Sequence, residues 1–206
     1  MAHSRMSRLA GPLAVAAGAL MVVAQLVMLP FDPKDHVATT TALAFQIGGV
    51  VYLLGFVTLM LFLVASHEWL EAGAGRLGVA ATMVAVVGTM ALGGDLWFET
   101  FAVPWLADEV PQAFDADPTL ILALGAVASY FLFAVGWVLY GVASLRAHVP
   151  VAISAVVIIG GALGYQALLS PWVIPLAVGV AALGVWLIRT QPDQEQKRPR
   201  TSKQAL

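Results

Sequence analysis

The sequence predicts an all-α membrane protein, a bundle of six transmembrane helices with both chain ends on the cytoplasmic side. Three observations carry that expectation. Of the 206 residues, 60% are hydrophobic and 11% charged, against roughly 45–50% and about 25% in a soluble domain. Six long stretches carry no charge. When the chain is threaded through six crossings, nine of the ten Lys and Arg fall on one side and eight of the twelve Asp and Glu on the other.

A crossing needs about 20 apolar residues, because a helix rises ~1.5 Å per residue through ~30 Å of hydrocarbon. The stretches show no period-two alternation, and a barrel strand would need only about 10 residues. Helices are therefore expected. The first covers 9–29, behind Arg5 and Arg8. Its basic start and the small pair Val22 and Ala24 resemble a cleavable signal peptide. The apolar run continues to Leu29, however, which favours an uncleaved helix. The second covers 41–65. The third covers 77–94, with a possible extension to 103, before an outer loop over 95–117. The fourth, 119–145, follows Asp117-Pro118, a capping side chain before a proline suited to the first helical turn. Pro150 opens the fifth, 151–169. Ser170-Pro171 separates it from the sixth, 172–188, which is short but ends on Arg189, an arginine able to snorkel. Residues 1–190 thus form one helical domain. The remainder, 191–206, reads as a disordered basic cytoplasmic tail whose Lys197, Arg198 and Arg200 suit anionic headgroups.

Orientation follows from arginine and lysine in the short connections. Arg5, Arg8, Arg76, Arg146, Arg189, Lys197, Arg198, Arg200 and Lys203 fall on one side, and Lys34 alone on the other. Asp32, Asp35, Asp95, Glu99, Asp108, Glu109, Asp115 and Asp117 join Lys34. The abundance of Ala, Gly, Val and Arg over Lys suggests a bacterial chain and a cell-membrane location.

Spacing then indicates packing. Gly11, Gly18 and Gln25 lie seven apart, as do Ala81, Gly88 and Asp95, so each polar residue shares a face with small ones. Gly125, Ser129, Gly136 and Tyr140 line one side of the fourth helix, and Ser154, Gly161 and Tyr165 one side of the fifth. Gly160 and Gly164 form the close-packing motif of membrane helices. It serves either a homodimer or a crossing within the chain.

Depth brings Gln25, Gln46, Asp95, Glu99, Tyr165 and Gln166 to the outer ends of their helices, around a polar vestibule. Trp97 and Trp105, in the stretch 94–114, supply its rim or an aromatic belt at headgroup level. Asp95 and Glu99 stand one helical turn apart, able to hold a cation or a proton or to act as acid and base. His36 in the first outer loop is a candidate metal ligand beside them. Cysteine is absent, which excludes disulfides and thiolate sites. No phosphate-binding loop or serine elbow occurs, no cofactor is expected, and a net charge of −2 gives no reason to expect nucleic acid. The expected partner is the lipid bilayer. The leading expectation is a non-enzymatic protein that binds, senses or transports a lipid-like or small cationic ligand. The alternatives are a membrane-embedded acid/base enzyme acting on a lipid or isoprenoid, and an accessory subunit of another membrane protein.

Overall fold

The computed structural model describes residues 6–31, 36–115, 117–166 and 172–196, and every element among them is helical. α1 spans Ala10–Met28, α2 His36–Thr41, α3 Leu43–Ala74, α4 Arg76–Trp97, α5 Val103–Glu109, α6 Leu120–Arg146, α7 Val151–Leu163 and α8 Ile174–Gln196. Four continuous helical stretches are long and apolar enough to cross a membrane: Ser7–Met28, Leu43–Ala74, Arg76–Glu109 and Leu120–Arg146. Two apolar helices, Val151–Gln166 and Ile174–Thr190, are shorter.

The six larger helices close into a ring in chain order. α1 packs on α3, α3 on α4, α4 on α6, α6 on α7, α7 on α8, and α8 returns to α1. Each pair is antiparallel. Along α1, for example, Gly11 faces Ile188 and Gly18 faces Ala181. The seams follow from spacing. Ala10, Ala14, Ala17, Met21, Ala24 and Met28 are the buried stripe of α1, and Leu176, Val180, Leu183 and Leu187, in line with Val173 just before the helix, that of α8. Steps alternating between three and four residues keep one face toward a neighbour along the whole helix. Small residues set the spacing between backbones. A Cβ on Gly88 would stand 2.5 Å from the backbone of Leu132, and one on Gly136 would stand 2.6 Å from the Cα of Ala85. Gly160 faces the backbone of Leu176, and Gly164 the ring of Phe133, so this pair is used within the ring.

Aromatic rings fill the axis. Tyr52 meets Phe56 edge-on at 5.1 Å, Phe56 stacks on Phe133 at 5.6 Å, and Phe133 leads through Trp137 to Tyr140 and Phe62. All six rings are buried. Their polar atoms find partners, as buried groups must. Trp137 Nε1 donates to Thr89 Oγ1 at 3.2 Å, and the Tyr140 and Ser66 hydroxyls meet at 2.7 Å.

Antiparallel order gives the ring two unlike ends. Arg8, Arg76, Arg146 and Arg189 lie at one; Asp95, Glu99, Asp108, Glu109 and Asp117 lie at the other. The basic end turns tightly. Gly75, at φ 61°, joins α3 to α4 in a left-handed conformation that glycine adopts freely.

The helices depart from the sequence boundaries in five places, one of them α7, whose α-helix ends at Leu163 and passes into a 3-10 turn, Gly164–Gln166, where the sequence reading runs to 169. The largest concerns the expected outer loop at 95–117, because residues 95–109 are helical. α4 runs into a π turn, Phe98–Ala102, and then α5. Pro104 explains the turn. It has no N–H for the carbonyl of Thr100, and its ring would clash there. The ladder slips by one residue, so that Val103 N–H bonds the carbonyl of Phe98. Secondly, α3 continues past Ala65 to Ala74 and begins at Leu43, after an extended Ala42 that separates it from α2. Thirdly, Thr119, not Asp117, caps α6, its hydroxyl accepting from Leu122 N–H at 3.4 Å. Finally, α8 reaches Gln196, six residues into the expected tail. The Ser170-Pro171 break and residues 197–206 lie outside the described residues.

Candidate functional site

Four helices each bring polar side chains to one place near the acidic end. Asp95 comes from the last turn of α4, Glu99 from the π turn, Tyr130 from α6, Tyr52 from α3 and Gln25 from α1. The Tyr130 hydroxyl lies beside the Asp95 carboxylate, near enough to interact with it. Glu99 and Tyr52 both lie within electrostatic reach of that hydroxyl. Tyr52 in turn stands beside the Gln25 carboxamide. The cluster is graded in burial. Gln25 and Tyr52 are fully buried, while Asp95, Glu99 and Tyr130 are partly exposed.

Local structure accounts for each position. Gln25 follows Gly18 by seven residues on α1, and the helix buries that whole face. Asp95 follows Gly88 by seven on α4. The close crossing at Gly88 and Gly136 brings α6 near enough for Tyr130 to reach it. Tyrosine side chains on a helix lean toward its N-terminus. Tyr130 and Tyr52 therefore both lean toward the acidic end, where α6 and α3 begin.

Gln25 is the unusual member. Neither its Nε2 nor its Oε1 has a partner at hydrogen-bonding geometry, although Tyr52 is adjacent. A buried amide left unpaired costs about 1–3 kcal/mol by mutational measures. The cluster thus joins two carboxylates and two phenol hydroxyls to a carboxamide whose donor and acceptor are both unpaired.

The remaining expected residues go elsewhere. Gln46 bridges the α2–α3 junction, its Nε2 donating to the carbonyls of Thr40 and Thr41 at 3.2 and 3.5 Å. The extended backbone at Ala42 leaves those carbonyls open to it. Tyr165 and Gln166 bond each other at 2.8 Å in the turn after α7, where Tyr165 is exposed. Trp97 packs on Phe101 at 5.8 Å, and both it and Trp105 are exposed. His36 is the first residue of α2, and its side chain lies outside the described residues. Among the described residues no three His, Asp or Glu side chains gather as a metal site would require. His67, at the basic end, pairs with Glu71 at 3.7 Å.

Tyr52 and Tyr130 were not among the expected site residues. Tyr52 lies between Gly48 and Gly55, on the small-residue face of α3. The rule that singled out Gln25 and Asp95 would have found it. Tyr130 lies seven residues before Trp137, in line with the buried aromatic stripe of α6.

Comparison with protein-family models, curated proteins and solved structures returned no match to the chain.

Proposed function

We propose that the chain is a multi-pass protein of a bacterial cytoplasmic membrane that crosses six times, with both ends inside. In this reading it binds a cationic ligand at the outer end, on Asp95, Glu99, Tyr130, Tyr52 and Gln25. The closed antiparallel ring supports the six crossings, and its basic and acidic ends support the orientation. The shorter α7 and α8 are the fifth and sixth crossings. Ionisable side chains at membrane depth are costly and point to ligand or ion sites.

One observation carries the binding reading: the unpaired, fully buried Gln25 carboxamide beside Tyr52. A structural cluster would pair such a group within the protein. A site keeps it for a visitor. The carboxylates set the visitor's charge, and the hydroxyls and carboxamide orient its hydrogen-bonding group. A protonated amine satisfies both requirements, since it donates to carboxylate, phenol oxygen and amide oxygen alike.

Thermal unfolding in detergent tests this, with methylammonium, sodium and magnesium chlorides as probes. A ligand confined to the folded state adds about 2.7 kcal/mol at a hundredfold excess over Kd. Methylammonium is expected to raise the Tm of the wild type and to leave an Asp95→Asn/Glu99→Gln double variant unmoved. Equal behaviour of the two well-folded proteins would reduce the carboxylates to interfacial solvation.

A further inference from the structure

One line of exposed side chains follows α4 and continues into α5. Met83, Val87 and Met90 come first, then Trp97, Phe101 and Trp105, and Asp108 and Glu109 end the series. Their chemistry passes in that order from aliphatic to aromatic to acidic. The rise from Arg76 to Trp97 is about 32 Å at ~1.5 Å per residue, which matches ~30 Å of hydrocarbon. The aromatic step therefore falls where the hydrocarbon ends.

Trp105 joins that line because of the π turn. In an unbroken helix two residues eight apart are offset by about 80°, and Trp105 would stand well to one side of Trp97. The π turn absorbs one residue between them. They then stand as residues seven apart do, about 20° from alignment. Thr100 holds the near side of the turn, its hydroxyl donating to the Leu96 carbonyl at 2.7 Å and lying against Gly49 of α3. The rotation is thus taken up by α5. It carries Val103 and Ala107 off the line of Leu92, Leu96 and Thr100, which an unbroken helix would have them extend. Both are buried in α5, which packs on α2.

We propose that Trp97, Phe101 and Trp105 form one anchoring stripe seated in the lipid headgroup layer at the acidic end, and that Pro104 aligns it by enforcing the π turn. The inference rests on the crossing by α4 in the reading above and is independent of the ligand. Indole and phenyl rings favour that layer, where an apolar body meets water at one edge. The succession of aliphatic, aromatic and acidic side chains along one line selects lipid as the occupant. It reproduces hydrocarbon, headgroup and water in turn, an order that a protein partner has no need of. Trp97 lies about half a turn from Asp95 on α4, so the stripe also fixes the depth of that carboxylate.

The test uses the full chain in lipid nanodiscs, spin-labelled at introduced cysteines, with oxygen and a nickel chelate as lipid-soluble and water-soluble collision partners. The ratio of oxygen to nickel collisions is expected to fall in the order Met90→Cys, Trp97→Cys, Trp105→Cys, Asp108→Cys. A label at 105 as open to nickel as that at 108 would put the stripe in water and overturn the proposal. A label there closed to both reagents would mean a protein cover and overturn it equally. Water contact at Met90→Cys would overturn the crossing itself, and the stripe with it. Alignment is read from spin–spin broadening in the pair Trp97→Cys/Trp105→Cys. Adding Pro104→Ala lets the ladder close, and the pair should separate by several ångström. Deleting Ala102 as well should bring it back, because the second label again follows the first by seven helical positions. A pair unmoved by Pro104→Ala, or not restored by the deletion, would overturn the role of Pro104.

Discussion

Gly88 of α4 and Gly136 of α6 bracket a single helix crossing, each lying against the backbone of the opposite helix. Everything at the acidic end depends on that approach, because Tyr130 reaches Asp95 from beyond it. Gly88→Ala would set a methyl 2.5 Å from the carbonyl of Leu132. Backbone cannot swing aside as a side chain can, so the helices must part. The expected loss is about 1–3 kcal/mol, as for an overpacked core, with a lower Tm and a weaker methylammonium response. Gly125→Ala is the control, since nothing lies within 4 Å of a Cβ there. Alanine should be neutral, or slightly favourable through its helix propensity. Equal Tm values for the two variants would show that the crossing is looser than described.

Gln25→Leu should move stability and binding in opposite directions. Leucine approximates the size of the carboxamide side chain and removes two unpaired polar atoms from a fully buried position. Without ligand the variant should be more stable by about 1–3 kcal/mol, read as a Tm several degrees higher. Its ligand-dependent shift should shrink or vanish. A lower Tm in the absence of ligand would mean that Gln25 is already satisfied, and that the cluster is structural.

The two ends can be assigned by cysteine labelling, because the natural chain has no cysteine. Ala107 and Ala147, which belong to connections in the sequence reading, are both buried. Gln112 and Ala72 are exposed and lie at the acidic and basic ends. A membrane-impermeant maleimide should reach Gln112→Cys in intact cells and Ala72→Cys only after permeabilisation. The reverse pattern would invert the orientation.

Much of this molecule was legible in its amino acids, and the illegible parts share a cause. Apolar runs located every large helix, since length and hydropathy are local properties. The sevenfold spacing Gly11–Gly18–Gln25 placed Gln25 on a buried face, and Ala81–Gly88–Asp95 placed Asp95 in line with the Gly88 crossing, partly exposed. The error at 95–117 was non-local. Two carboxylates and Pro104 read as a loop, but Tyr130 on another helix stands beside Asp95, and a π turn absorbs the proline. The hold on Gln46 was not legible, because its carbonyl partners exist only where the backbone opens at Ala42. Tyr52 and Tyr130 passed as packing because a tyrosine ring resembles any other aromatic until its hydroxyl finds company.

The column of rings from Tyr52 to Phe62 bears on traffic. Side chains in van der Waals contact occupy the middle of the ring along that column. A charged body would have to unstack them to travel between the two ends. In the proposed reading, whatever docks beside Tyr52 leaves by the way it came, and the barrier separating the two compartments keeps its electrical seal while the site fills and empties.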